Sequence, residues 1–198
     1  MSVDPLHLVD LADLVDAVRR SVTGRRDVAV DERERASVER FLAELDRLPR
    51  PFDEHADPVH VTGSAIVVGG RGVVLHRHKR LGLWLQPGGH VDAGETPWDA
   101  ALREAHEETG LPTLSFCHVE RGVFRNVPHD KTVDVVHIDV HAGGRGHTHL
   151  DLRYLVLAPD ADPAPPPGES QQVRWFAWDE AIAVADHGLV GALRALRT

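Results

Sequence analysis

The sequence predicts an α/β chain in which strands flank one internal helix, with a helical extension ahead of them. Three observations carry that reading. Apolar residues recur at helical spacing through the first 50 positions. From Val59 onward the pattern changes to short β-branched runs punctuated by glycine turns. One segment, residues 97–109, carries both a helix start and a helix stop.

The elements follow in order. Asp4-Pro5 opens a first helix in which Leu8, Leu11, Val15, Val18 and Val22 share a stripe that ends near Gly24. Asp31 and Glu34 have the spacing of a capping pair for a second helix, with Val38, Phe41, Leu42, Leu45 and Leu48 on one face. Pro49 and Pro51 stop it. Two amphipathic helices cannot bury their stripes alone, so they are expected to pack on the main domain or to build a homodimer through a second copy. The division expected is a helical extension over 1–57 and an α/β domain over 58–198. Within the latter, VHVTGSAIVV reads as a strand, GGRG (69–72) as a turn and VVLHRH (73–78) as the hairpin partner. LWLQ (83–86) leads into the internal helix, and strands are expected at 114–119, 122–126, 133–141 and 148–158. A proline-rich loop (158–168) precedes VRWFAW (173–178); Asp179 is expected to cap a short helix, and residues 189–196 form the last one.

Composition narrows the function classes. A 198-residue chain with 42% hydrophobic content can bury a real core. Its net charge of −9 argues against a nucleic-acid surface. Cys117 is the lone cysteine, which excludes an intrachain disulfide and fits a reducing cytoplasm. The first twenty residues have no cationic start before an apolar run, and Asp10, Asp13 and Asp16 interrupt them, so neither a signal peptide nor a membrane span is expected.

The densest information lies in GHVDAGETPWDAALREAHEETGL, residues 89–111. Thr96 suits a helix cap, Pro97 its first turn and Gly110 a left-handed stop. Trp98, Ala101, Leu102 and Ala105 then share a stripe that should bury against a sheet. Glu104, Glu107 and Glu108 fall on another face at offsets i, i+3 and i+4, close enough to repel. A hard divalent cation with oxygen ligands relieves that repulsion, and Mg²⁺ keeps waters that bridge to phosphate. A merely solvated acidic face would not also need Gly88-Gly89 before the helix, Glu95 in the loop and Arg103 beside the cluster.

Gly89, Glu95, Arg103, Glu104, Glu107, Glu108 and Gly110 stand at the spacing G-x5-E-x7-R-E-U-x-E-E-x-G-U, with Ala105 at the softest position. This segment resembles the signature box of the Nudix hydrolases, and the resemblance extends over roughly residues 58–198. It implies an α/β/α sandwich with a mixed central sheet and Mg²⁺- or Mn²⁺-dependent hydrolysis of a diphosphate linkage in a small-molecule substrate. By the same resemblance, the Gly88 carbonyl, Glu104, Glu107 and Glu108 are metal ligands, Glu169 is a further one, and Arg103 orients a glutamate. Glu104 and Glu107 are the catalytic carboxylates, although Glu169 or His129 on later loops are open as the base. Two other readings stand beside it: a Nudix-like nucleotide-binding module without turnover, and an isomerase using a cysteine, for which Cys117 is poorly placed. The run LQPGGH, with Gln86 ahead of Pro87, resembles a poorly characterised bacterial branch. Trp84, Trp98, Trp175 and Trp178 read as core rather than base-stacking residues, and nothing singles out one diphosphate substrate.

One constellation lies outside the box. His137, Asp139 and His141 share one strand parity, and His147, His149, Asp151 and Arg153 share another across a short loop, AGGRG (142–146). The expected register pairs His141 with His147, Asp139 with His149 and His137 with Asp151. Such a polar face is either the solvent side of a hairpin, a substrate-pocket wall built from His137, Asp139, His149, Asp151 and Arg153, or a transition-metal site, because imidazole suits Zn or Mn.

Overall fold

The computed structural model describes residues 10–127 and 133–197. Helix α1 (Leu11–Gly24) starts behind Asp10, whose carboxylate accepts from the Ala12 amide at 2.8 Å. That start lies later than the expected one at Pro5, which falls outside the described residues. Helix α2 (Glu32–Arg47) starts behind Asp31, which accepts from the Glu34 amide at 2.9 Å. The Glu34 carboxylate does not close the box back on Asp31. It accepts from the Val30 amide at 2.7 Å, from Arg25 Nε at 2.9 Å and from the Ile138 amide at 3.1 Å.

Nine strands follow among the described residues: β1 (Val59–Gly69), β2 (Gly72–Arg77), β3 (Trp84–Leu85), β4 (Gly88–His90), β5 (Ser115–Glu120), β6 (Val123–Asn126), β7 (Val135–Ala142), β8 (Thr148–Leu157) and β9 (Val173–Phe176). They form one mixed sheet. Strand β1 runs parallel to β8 along its whole length, from Val59↔Thr148 to Val68↔Leu157. The other edge of β1 is shared: β4 pairs with Thr62–Ser64, and β2 pairs with Val67–Gly69 in a tight hairpin. Between them the Ala65 amide donates to the Pro87 carbonyl at 2.9 Å. The segment ahead of β4 is thereby wedged into the centre of the sheet.

Helix α3 (Pro97–Thr109) lies between β4 and β5, capped by Thr96, whose hydroxyl accepts from the Asp99 amide, and stopped by Gly110 at φ +63°. Val61, Ala65 and Val67 on one face of β1 join Ala101 and Ala105 of α3 and the stripes of α1 and α2 in a common core. Ile66 and Val68 on the opposite face pack with Leu189, Ala192 and Leu193 of helix α5 (His187–Leu196). Helices thus cover both faces of a mixed sheet, as an α/β/α sandwich requires. Because α1 and α2 bury Leu14, Val18, Val22, Val38, Phe41 and Leu45 within this chain, their stripes need no second copy to cover them. Helix α2 docks against β7, where the Ile138 amide donates to Glu34 and the Val140 amide to Ser37 Oγ at 3.1 Å. No helix among the described residues is long and apolar enough to cross a membrane.

Two local expectations are corrected. Helix α4 (Trp178–Val184) starts behind Ala177 without a side-chain cap; Asp179 lies inside its first turn and pairs with Arg197. The capping aspartate is Asp186, ahead of α5, which accepts from the Gly188 amide at 2.9 Å. In the β7–β8 hairpin, His141 pairs with His149, Asp139 with Asp151 and His137 with Arg153, two residues away from the expected register. A 3₁₀ turn over Gly144–Gly146 lengthens the loop, and the register shifts again between Val135 and His137.

Candidate active site

The site is assembled where the β3–β4 segment meets α3. Gly88 lies opposite Ser64, and its amide donates to Glu108 Oε2 at 3.0 Å. A Cβ built on Gly88 would collide with the Ser64 hydroxyl, and one on Gly89 with the Glu104 carboxylate. Only glycine lets the strand approach the helix this closely.

Arg103 organises the acidic face. Its Nε donates to Glu95 Oε1 at 2.9 Å, its Nη1 to Glu104 Oε1 at 2.8 Å and to Glu107 Oε2 at 3.1 Å, and its Nη2 to the His90 carbonyl at 3.0 Å. One guanidinium therefore serves three carboxylates, and Glu108 is left without a cation among the described residues. Burial pushes the Glu108 carboxyl up to about 8, with Glu104, Glu169 and Glu107 adding to the rise against the Gly88 hydrogen bond. Burial also raises Glu104, although Arg103 opposes it and Glu107 and Glu169 reinforce it. Glu169 is thus within electrostatic reach of both box glutamates. A concentration of desolvated carboxylate oxygens with too few cations matches the donor set of a hard divalent ion.

His76 is a neighbour that sequence reasoning missed. Its Nδ1 stands 3.4 Å from Glu108 Oε1 without a hydrogen bond, and burial lowers its pKa to about 4, so the ring faces the carboxylate uncharged. The available signal was parity: His76 shares a strand face with Val74, which packs in the core on the α3 side.

The polar face of β7–β8 is not solvent-facing. His137, Asp139, Asp151 and Arg153 are each buried. Asp151 accepts from Thr62 Oγ1 at 3.1 Å, Ser64 Oγ at 2.7 Å, Gln86 Nε2 at 3.4 Å and Arg153 Nε at 2.9 Å. Arg153 also reaches Asp139 at 3.3 Å and the Gly188 carbonyl of α5 at 2.5 Å. Arg33 of α2 donates to Asp139 at 2.7 Å from the other side. Asp139 and Asp151 are direct cross-strand neighbours, and Arg153 bridges them, which removes the repulsion of two like charges in register. Burial alone would raise Asp139, but His141, Arg153 and Arg33 together hold it well below the usual carboxylate range. Burial, aided by the charge of Arg153, drives His137 down to about 3. Four of the five expected pocket residues are therefore engaged inside the protein, behind Ser64 and Gln86, which flank Gly88. The fifth, His149, is half-buried among other histidine rings.

Of the remaining candidates, His129 lies outside the described residues. Cys117 sits on β5 with its thiol pushed up by burial to about 12, which leaves no thiolate near neutral pH. Trp175 donates to the Ala161 carbonyl at 2.8 Å, Trp84 packs edge-on against Phe176, Trp178 stacks on Phe124, and Trp98 packs against the core.

Comparison with known proteins matches this geometry to relatives. A family model described as the NUDIX domain matches residues 58–195. The human m7GpppN-mRNA hydrolase NUDT17 is 30% identical over 160 residues, covering 73% of this chain and 46% of that protein. The RNA pyrophosphohydrolase of Brucella ovis is 33% identical over 110 residues, covering 53% of this chain and 60% of that protein. A solved structure of a NUDIX-family hydrolase from Clostridium perfringens superposes with a TM-score of 0.55 at 26% identity, covering 69% of this chain and 95% of that one. The chain thus spans about half the length of the first two relatives, 46% and 60%.

Proposed function

The chain belongs to the Nudix family, and on that footing we propose that it hydrolyses a diphosphate linkage in a nucleoside diphosphate derivative or a related organic diphosphate. The observation that carries the reading is the convergence of Glu104, Glu107 and Glu108 on one side of α3, with Arg103 and the Gly88 amide fixing three of their oxygens. The names of two relatives, an mRNA hydrolase and an RNA pyrophosphohydrolase, are consistent with it. Residues 58–198 form the catalytic unit in this reading, and residues 1–57 an extension that braces it. A lone buried cysteine suits a cytoplasmic setting.

Glu104, Glu107 and Glu108 with the Gly88 carbonyl and Glu169 would hold Mg²⁺ or Mn²⁺, which would supply charge neutralisation on the phosphoryl oxygens. The chain's own residues do the rest. Arg103 fixes Glu104 and Glu107 in the geometry that faces the substrate. Gly88 and Gly89, lacking side chains, let the diphosphate approach the helix. A glutamate of the box or Glu169 takes the proton of the attacking water as the P–O bond of the anhydride breaks. Asp151 and Arg153 act one step back as positioning residues, because their hydrogen bonds hold Ser64 and Gln86 on either side of the Gly88 segment.

The test is chromatographic detection of the two phosphorylated cleavage products from a panel of ADP-ribose, dinucleoside polyphosphates, NADH and coenzyme A, with Mg²⁺ and with Mn²⁺. At least one member should turn over, and Glu104→Gln should lower kcat by about 10²–10³-fold with an unchanged Tm. Absence of cleavage of every member with either ion would overturn the reading.

A further inference from the structure

We propose that His60, His90, His147 and His149 form a second metal site, for a single transition-metal ion of the zinc class, apart from the carboxylates of the box. Each of the four rings offers one nitrogen, and these nitrogens all lie within 4.8 Å of one another. Tetrahedral zinc with Zn–N bonds of about 2.05 Å needs nitrogens roughly 3.3 Å apart, so ring shifts of under about 1 Å close the set.

The topology brings these residues together from three strands. In the parallel β1–β8 register His60 lies beside His149, and across the other edge of β1 His90 of β4 lies opposite Thr62. His147 stands just ahead of β8, its ring centroid 5.1 Å from that of His60. His60 is also 5.0 Å from His90 and 5.3 Å from His149.

Two of the rings are already oriented as ligands. His60 is fully buried; its Nδ1 is 3.2 Å from the Asp57 carbonyl, which places the proton there and leaves Nε2 as a lone pair. That Nε2 is buried without a hydrogen-bond partner among the described residues. His90 is placed similarly, its Nδ1 3.1 Å from the Glu54 carboxylate and its buried Nε2 without a partner among the described residues. Around a bound metal, a ligand histidine usually turns its far nitrogen toward a carbonyl or carboxylate and its near lone pair toward the ion. Two lone pairs converging in a buried space without a proton between them are unfavourable in a purely structural cluster. Imidazole donors select zinc-like ions, whereas the oxygen donors of the box select Mg²⁺ or Mn²⁺, so the two sites differ in chemistry. An ion held here would join β1, β4 and β8 at one end of the sheet and, through Glu54, tie in the segment that follows α2.

The experiment uses the full chain, stripped with a chelator and titrated with Co²⁺ while excess Mg²⁺ occupies oxygen-donor sites. One equivalent of Co²⁺ should give the strong visible bands of tetrahedral nitrogen coordination. Zn²⁺ should displace it and raise Tm by about 5 °C or more at a concentration 100-fold above its Kd. His147→Ala, which removes a half-buried ring, should weaken Co²⁺ binding by about 100-fold, and Glu54→Gln by about 10-fold, whereas Glu107→Gln should leave it intact. His60→Ala should abolish the bands, and His147→Ala keeps the test valid if the buried substitution prevents folding. An unchanged Co²⁺ affinity in His147→Ala, bands lost in Glu107→Gln, or no tetrahedral bands at all would each overturn the proposal.

Discussion

Gly88 donates its amide to Glu108 Oε2 at 3.0 Å, tying the strand ahead of the box helix to the one box glutamate that Arg103 does not reach. Glu108 also carries a pKa of about 8 against an ordinary 4.5, raised chiefly by burial. A carboxyl raised in the folded state contributes stability that is fully present below about pH 4.5 and is lost as pH climbs through 8. Tm of the chelator-treated protein should therefore fall across that window. Excess Mg²⁺ should flatten the fall, and Glu108→Gln should remove most of it. Differential scanning fluorimetry from acid to mildly alkaline pH measures all three curves.

Arg103→Lys keeps the charge but loses the fork that reaches Glu95, Glu104, Glu107 and the His90 carbonyl together. We expect kcat to drop by about 100-fold with KM changing by less than about threefold, since the fork orders catalytic carboxylates rather than substrate. A KM effect as large as the kcat effect would assign Arg103 to substrate binding instead.

Gly89→Ala places a methyl group against the Glu104 carboxylate. The carboxylate must move, so the variant should lose activity by at least about 10²-fold while its secondary structure, read by circular dichroism, stays unchanged.

Glu34→Ala should be the costliest change in the extension. It leaves Arg25 and the amides of Val30 and Ile138 without their acceptor around a side chain that has no exposed surface. A loss of about 3 kcal/mol is expected from urea denaturation, as for removal of one partner of a buried ion pair. Glu34→Gln, which preserves part of the hydrogen bonding, should fall between the two.

Asp151→Asn tests the network behind Gly88. Four donors converge on this carboxylate, and removing its charge weakens all of them, with about 2 kcal/mol lost by thermal denaturation. Activity should fall with it, by about 10-fold, because Ser64 and Gln86 lose the anchor that keeps them beside the Gly88 segment.

What the chain revealed in one dimension was whatever depends on near neighbours. The cap at Thr96, the stop at Gly110 and the gathering of Glu104, Glu107 and Glu108 follow from helical spacing. The hairpin register did not, because a 3₁₀ turn and a bulge each displace pairing without marking the loop's composition. Asp179 and Asp186 both precede apolar runs, and only the packing of α4 and α5 decides which one caps. The burial of His137, Asp139 and Arg153 depends on Arg33 and Gly188, far away in sequence, so an alternating strand could be read only as two-faced. His60 and His90 stayed hidden for the same reason, since it takes the pairing of β1 with β8 on one edge and with β4 on the other to assemble them with His149.

The docking of α2 on β7 has a consequence for how the chain is handled. Outward amides of β7 at Ile138 and Val140 are sealed by Glu34 and Ser37. A fragment trimmed to the family-matched region, beginning at residue 58, would expose that unpaired strand edge beside a bared apolar surface. Such an edge is a template for pairing with another molecule. The trimmed protein should self-associate into sheet-rich aggregates on expression, so helices α1 and α2 serve as the shield that keeps this sheet from extending into its neighbours.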